Sequence, residues 1–233
     1  MRVDSVEGPG PPEVRIAASS GSITVFGEPR DDVISDDNAR VKTGPEGSVE
    51  VVPRTGSRSV TVRCPEGTHV VVGTRSGSLH LKGRLGAVRA TTMSGKISVD
   101  QVASADVRSM SGSIAVGACT GACRVKTKSG SASIRSAGAA EVTVGSGSIQ
   151  INHVEGSVRA RAISGSVTLD AEGHGDVEVE TMSGSITVTL PDGCRPDVRA
   201  KTLSNRARVE SPPGHDVVVI AKTLSGGITV RPR

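Results

Sequence analysis

The sequence predicts an all-β fold: a single-stranded parallel β-helix, or β-solenoid, with about 17–21 residues per rung and an N-terminal β cap. Three observations predict it. A Ser-Gly segment recurs along the chain, apolar residues alternate with period two on both sides of it, and large aromatics are all but absent. Of 233 residues, 29 are glycine and a single one, Phe26, is aromatic. A core without rings must be thin and filled by Val, Ile, Leu and Ala, as in a narrow solenoid, where each rung contributes a few inward side chains.

The recurring segments are MSGKISV, MSGSIAV, KSGSASI, GSGSIQI, ISGSVTL and MSGSITV, followed by the degenerate LSNRARV and by LSGGITV. Their serines are Ser94, Ser111, Ser129, Ser146, Ser164, Ser183, Ser204 and Ser225, at spacings of 17, 18, 17, 18, 19, 21 and 21 residues. RSGSLHL, with Ser76, extends the array by one rung, and SSGSITV, with Ser20, stands as an isolated early copy. Upstream of each Ser-Gly, Val88, Ala90 and Thr92 or Val177, Val179 and Thr181 alternate with polar residues, the mark of a half-buried strand. Downstream the parity shifts to Ile97/Val99, Ile114/Val116, Val167/Leu169 and Ile186/Val188. Ser therefore ends one strand, Gly turns the chain, and a second strand begins. Leu85, Val102, Cys119, Ala137, Val154 and Ala171 form a third column and close the rung. One rung cannot bury its apolar edge; stacking rungs in parallel makes each inward position a continuous ladder.

The chain divides into a flexible N-terminus over 1–12, a β capping region over 13–64 and solenoid repeats over 65–233. The cap is expected because an open solenoid end exposes strand edges. Net charge is +4, with a balance of −3 over residues 1–60 and +7 over the rest. The N-terminal MRVDSVEGPGPPEVRI has no apolar run resembling a signal peptide, and no stretch is long and apolar enough for a membrane helix. The expectation is a cytoplasmic protein with no membrane insertion.

Catalytic and metal motifs are missing. Cys119 and Cys123 have a C-x-x-x-C spacing, but two further ligands are not near in sequence. Cys119 falls in the Leu85/Val102 core column and Cys123 where Ala105 and Ala140 sit, so both read as small buried hydrophobes. Eight copies of a Ser-Gly pair describe a corner rather than a nucleophile. No cofactor, metal or catalytic residue is expected.

Two outward columns carry the partner-binding candidates. The position before each Ser holds Met93, Met110, Lys128, Gly145, Ile163, Met182, Leu203 and Leu224. Strict alternation turns this column outward as an interaction site; a bulge at Gly would instead rotate it into the core. Met93, Met110, Ile163, Met182, Leu203 and Leu224 are the candidates for binding a protein partner or a second copy. A mostly basic column is read as Arg89, Arg108, Lys126, Thr143, Arg159, Glu178 and Arg199. Arg89, Arg108, Lys126, Arg159 and Arg199 are candidates for an anionic polymer, unless acidic neighbours relieve their mutual repulsion. Missing aromatics disfavour nucleic acid, which is bound in single strands by stacking. The primary reading is a non-enzymatic scaffold or adhesin-like interaction module. The alternative is a carbohydrate-active enzyme using Asp170, Glu172, Asp176, Glu178 or Glu180.

The run CPEGTHVVVGTRSGSLHLKG, the run VRATTMSGKISV and the repeated Val-x-Val-x-Thr-x-Ser-Gly-x-Ile-x-Val resemble the bacterial putative-adhesin family of β-strand repeat proteins, a domain of unknown function. The resemblance covers roughly residues 12–233 and includes Pro-acid-Gly lead-ins at Pro65-Glu66-Gly67 and Pro191-Asp192-Gly193. It implies a β-helix-like fold and association with the cell envelope. It carries no catalytic residues to transfer.

Overall fold

The structure is a computed structural model that describes residues 13–44, 48–54, 59–172 and 175–233. The N-terminal stretch 1–12, Gly47 and His174 lie outside the described residues. The chain is all β and forms two compact units, Met1–Cys119 and Thr120–Arg233. Each is a stack of parallel rungs, as the repeat predicts.

In the first unit, β1 (Glu13–Ser20) and β2 (Ser22–Glu28) are the two limbs of one rung. The next rungs use β5 (Val49–Pro53) with β6 (Ser59–Pro65), and β7 (His69–Ser76) with the start of β8 (Leu79–Ser94). From there single long strands, β8 and β9 (Ile97–Ser111), run through the third side from one rung into the next. Thr92 pairs with Ser109, Leu79 with Ile97 and Leu85 with Val102, so all three inward columns stay in register. Ile23, Leu79, Leu81, Ile97 and Ile114 are fully buried. Each such side chain stabilises the fold by about 1.5–3 kcal/mol relative to exposure. Phe26 stands on the outer face, between the cations of Arg63 at 5.0 Å and Lys82 at 5.3 Å from its ring centre.

Spatial order departs from chain order here. Val14 pairs with both Val49 and Val70, and Ile23 with both Val60 and Leu79. The early SSGSITV copy is therefore an interior rung, seated between 49–65 and 69–83. The outer edge of the 49–65 rung is covered by two antiparallel strands. β3 (Ile34–Ser35) lies on β6 and β4 (Ala39–Thr43) on β5. Antiparallel cover of this kind removes an exposed edge.

The second unit begins within β10 (Ile114–Ser129), whose residues from Thr120 onward belong to it, and continues through β11 (Ala132–Ser146) and β12 (Ile149–Val154). Then come β13 (Val158–Ser164) with β14 (Val167–Ala171), and β15 (Val177–Ser183) with β16 (Ile186–Leu190). The last rungs are β17 (Asp197–Thr202) with β18 (Ala207–Val209), and β19 (Val218–Ser225) with β20 (Ile228–Pro232). Here too the order is exchanged. β19 pairs with β15 on one side and β17 on the other, and β20 with β16 and β18. LSGGITV is an interior rung, Pro232 lies opposite Leu190, and the degenerate LSNRARV forms the outermost rung.

The corners explain the Ser-Gly signature. Gly77, Gly95 and Gly112 in the first unit, and Gly147, Gly165, Gly184 and Gly226 in the second, have φ between 132° and 147°. L-residues rarely adopt that region. A Cβ at Gly165 would also lie 2.1 Å from the Gly147 carbonyl oxygen, and one at Gly226 2.1 Å from that of Gly184. Glycine is thus required twice, by the backbone and by the rung beneath. The buried threonines tie the same corners. Thr181 Oγ1 donates to the Gly165 carbonyl at 3.4 Å, Thr223 to Gly184 at 3.3 Å and Thr202 to Gly226 at 3.0 Å. From Thr181 onward the inward hydroxyls therefore bond rung to rung, whereas Thr92 and Thr127 donate to the Ser94 and Ser129 carbonyls of their own rungs.

Replacing Gly165 with Ala is expected to cost about 3 kcal/mol or more in denaturant unfolding. Gly193→Ala, at φ 82° with open space around the new methyl, should cost only about 1 kcal/mol. Equal losses would show that stacking at the corner is not limiting.

Candidate interaction surface

Each limb preceding a corner presents three outward columns. Counted back from the corner serine they lie five, three and one residues upstream. The column next to the serine is exposed. Met93 and Met110 are neighbours in the first unit, since Ser94 pairs with Ser111. In the second unit Ile163, Met182, Leu224 and Leu203 follow one another across four stacked rungs, 46–70% exposed. The alternation Thr-in, Met-out continues up to the serine, and the chain turns only at the glycine. A bulge that would swing these side chains inward does not form. The exchanged rung order sets Leu224 beside Met182, so the apolar run is unbroken.

The basic column is corrected by the register. Arg89 lies opposite Val71 and Asp106, whereas Arg108 lies opposite Thr91. Arg89, Arg159 and Arg199 belong to the column five upstream, and Arg108 and Lys126 to the one three upstream. The slip arises because the third side varies in length between rungs, while the corner serine sets the pairing. In the second unit the first of these columns reads Arg124, Glu141, Arg159, Glu178, Ile220, Arg199, and the second reads Lys126, Thr143, Arg161, Glu180, Lys222, Lys201. Opposite charges stacked on adjacent strands attract. Arg124 pairs with Glu141 at 2.9 Å, Arg159 with Glu178 at 2.5 Å, Arg161 with Glu180 at 3.2 Å and Lys222 with Glu180 at 2.9 Å. In the first unit Asp106 serves Arg108 at 3.0 Å and Arg89 at 4.0 Å, and Arg199 meets Asp197 at 2.9 Å in the second. Of the five basic candidates, Lys126 alone has no carboxylate partner among the described residues.

The same pairs engage most of the acidic cluster. Asp170 and Glu172 are bridged by Arg233 at 2.5 and 2.6 Å, and His153 Nδ1 lies 3.0 Å from Glu172. Glu178 and Glu180 lie within the charge ladders. The Lys222 ammonium, followed by Arg161, holds the Glu180 carboxyl below the usual carboxylate range. Among the described residues no three His, Cys, Asp or Glu side chains converge as metal ligands. All four cysteines are free thiols. Cys119 and Cys123 are buried in the columns assigned to them. Burial pushes the Cys64 thiol up to about 11, and also raises that of the half-buried Cys194.

This is an all-β solenoid whose outer face carries an apolar stripe beside ladders of paired charge. The chain belongs to the Toastrack DUF4097 family, whose profile matches residues 42–231. No curated protein matches it. Among solved structures it is similar to a putative adhesin from Bacteroides fragilis, at 12% identity and a TM-score of 0.48, covering 96% of this chain and 93% of that one. A second is a putative cell adhesion protein from Clostridium sporogenes, at 10% identity and a TM-score of 0.26, covering 100% of this chain and 97% of that one.

Lys222→Met should raise the Glu180 pKa in an NMR titration. A depressed carboxylate pKa contributes stability above its unfolded value and loses it as pH falls. The variant should therefore lose less stability than the wild type on acidification below the normal carboxylate pKa; an unmoved Glu180 titration would show the ladder is not formed. At pH 8 a thiol reagent should label Cys194 well before Cys64, Cys119 and Cys123, as peptide mapping would report.

Proposed function

We propose that the chain is a non-enzymatic interaction module, and that the Ile163–Met182–Leu224–Leu203 stripe is where a protein partner docks. The observation that carries this reading is the exposure of four large apolar side chains on consecutive rungs. Single exposed hydrophobics are ordinary, but a contiguous row rimmed by polar groups marks a contact surface. One flank is the Arg161–Glu180–Lys222 ladder, and the other is the row of corner hydroxyls, Ser164, Ser183 and Ser225. An apolar strip with a polar rim matches the anatomy of a transient protein interface. Met182 supplies an adaptable, polarizable contact. Met93 and Met110 form a shorter stripe of the same kind in the first unit.

An anionic polymer is a weaker partner class, because carboxylates interleave with the basic columns and shorten any run of free cations. Engagement of Asp170, Glu172, Glu178 and Glu180 by basic groups supports the non-enzymatic reading over carbohydrate cleavage.

A photo-crosslinking residue at Met182, introduced in cells that express the protein, should trap a discrete protein. The Leu224→Asp change should abolish that product while leaving unfolding within about 0.5 kcal/mol of wild type. A crosslinker at exposed Thr168, on the other limb, is the control. Identical products from positions 182 and 168 would overturn the reading.

A further inference from the structure

The outermost rung of the second unit is unfinished. Val198 and Ala200 face inward but are only half-buried, whereas Val219 and Ala221 beneath them are fully buried. Val209 also faces inward and is 45% exposed, above a Val230 at 0%. Core-facing side chains are uncovered here because no further rung lies on β17 and β18 among the described residues. The backbone is unfinished too. The Asp197 N–H donates to the Val217 carbonyl and the Glu210 N–H to the Val230 carbonyl, each at 2.8 Å. Successive residues of a strand direct their hydrogen-bonding groups to opposite edges. Val198, Ala200, Ala207 and Val209 therefore aim their amides and carbonyls at the open side. In the first unit the matching edge is covered by antiparallel strands β3 and β4.

We propose that this edge is completed by the same edge of a second copy, with β17 pairing β17 about a two-fold axis. A two-fold axis perpendicular to the sheet makes the added strand antiparallel and keeps inward residues inward, so residues of the same facing lie opposite one another. Centred on Arg199, β17 sets Val198 against Ala200 and Asp197 against Lys201 of the other copy. This register forms two Asp197–Lys201 pairs on the outer face, one on each side of a single Arg199–Arg199 contact, and it uses the residues whose amides are free. A register centred on Ala200 would set Arg199 against Lys201 and is disfavoured. Lys201, stacked on Lys222 within its own chain, gains a carboxylate only in the paired form. Pairing like edges about a two-fold axis uses both edges up, so the association closes as a dimer and does not propagate into a filament.

This proposal is independent of the apolar stripe, and the test separates them. Sedimentation equilibrium of the full chain across the micromolar range should show a monomer–dimer equilibrium. Asp197→Lys and Lys201→Asp, each placing like charges opposite one another, should each weaken the dimer about tenfold or more. The Asp197→Lys/Lys201→Asp double variant should restore it, which loss of folding could not mimic. Ala200→Pro should also weaken it, by removing an amide from the open edge while leaving the bonds to β19 in place. Met182→Asp/Leu224→Asp should leave the dimer intact. A monomer at every concentration overturns the proposal. So does a dimer indifferent to all the edge variants, or one lost only in the stripe variant.

Discussion

At the Ser-Gly corners from Gly77 to Gly112 and from Gly147 to Gly226, the carbonyl oxygen of one glycine fills the space that a Cβ on the next would need, and the degenerate outermost rung carries Asn205 instead. The close approach of Gly147 to Gly165 and of Gly165 to Gly184 in the second unit, and of Gly77 to Gly95 in the first, is a steric lock repeated rung after rung. It permits only glycine and only one alignment, because a slip along the strand would drive a side chain into backbone. Every other column inherits its register from this contact. Thr181, Thr202 and Thr223 reach the glycine carbonyls of neighbouring rungs because the corners are aligned, and the apolar ladders are continuous for the same reason. In a solenoid, where stability is a sum of neighbour interfaces, one misaligned corner would cost two interfaces at once.

The lock also decides what the outside displays. Strand alternation continues up to the serine, so the residue before it has nowhere to pack. The column five upstream relieves stacked charge by alternating sign, and the column three upstream does so around Glu180 while stacking Lys222 on Lys201; each ion pair there contributes little, as exposed ion pairs do. The column at the corner uses Ile, Met and Leu instead. It is placed where the chain turns away and no neighbouring side chain can shield it. Charge neutralisation and apolar exposure are thus adjacent choices on one surface, and the second is what distinguishes this surface from a merely solvated one.

The solenoid was legible in the sequence because its cause is local and repeated. A corner that requires glycine and a strand that alternates leave the same signature in every rung, and the buried places of Cys119 and Cys123 followed from column counting. Spatial neighbours were less legible. Periodicity reports that SSGSITV and LSGGITV are rungs, but not which rungs flank them, since any rung with the same columns can stack on any other. The exchanged orders in both units therefore left no mark. Counting residues misplaced Arg108 and Lys126 by two positions, because the third side changes length while the corner does not. Exposure of Met93 and Met182 could not be read either, because it depends on whether the turn begins at Ser or at Gly.

The exchanged rungs have a consequence for how the chain reaches this state. A solenoid whose rungs stack in chain order can grow as the polypeptide emerges, each rung docking on its predecessor. Here residues 197–209 have no surface to dock on until 218–232 has settled on β15 and β16. In the first unit, 13–28 gains its two flanking rungs only after 49–83 has been made. Growth in each unit must therefore depart from chain order, and in the second unit the outermost rung docks last. A nascent chain that stops near residue 210 would hold its outermost rung as a loose, half-apolar segment, exposed to proteases and chaperones until the final strands arrive.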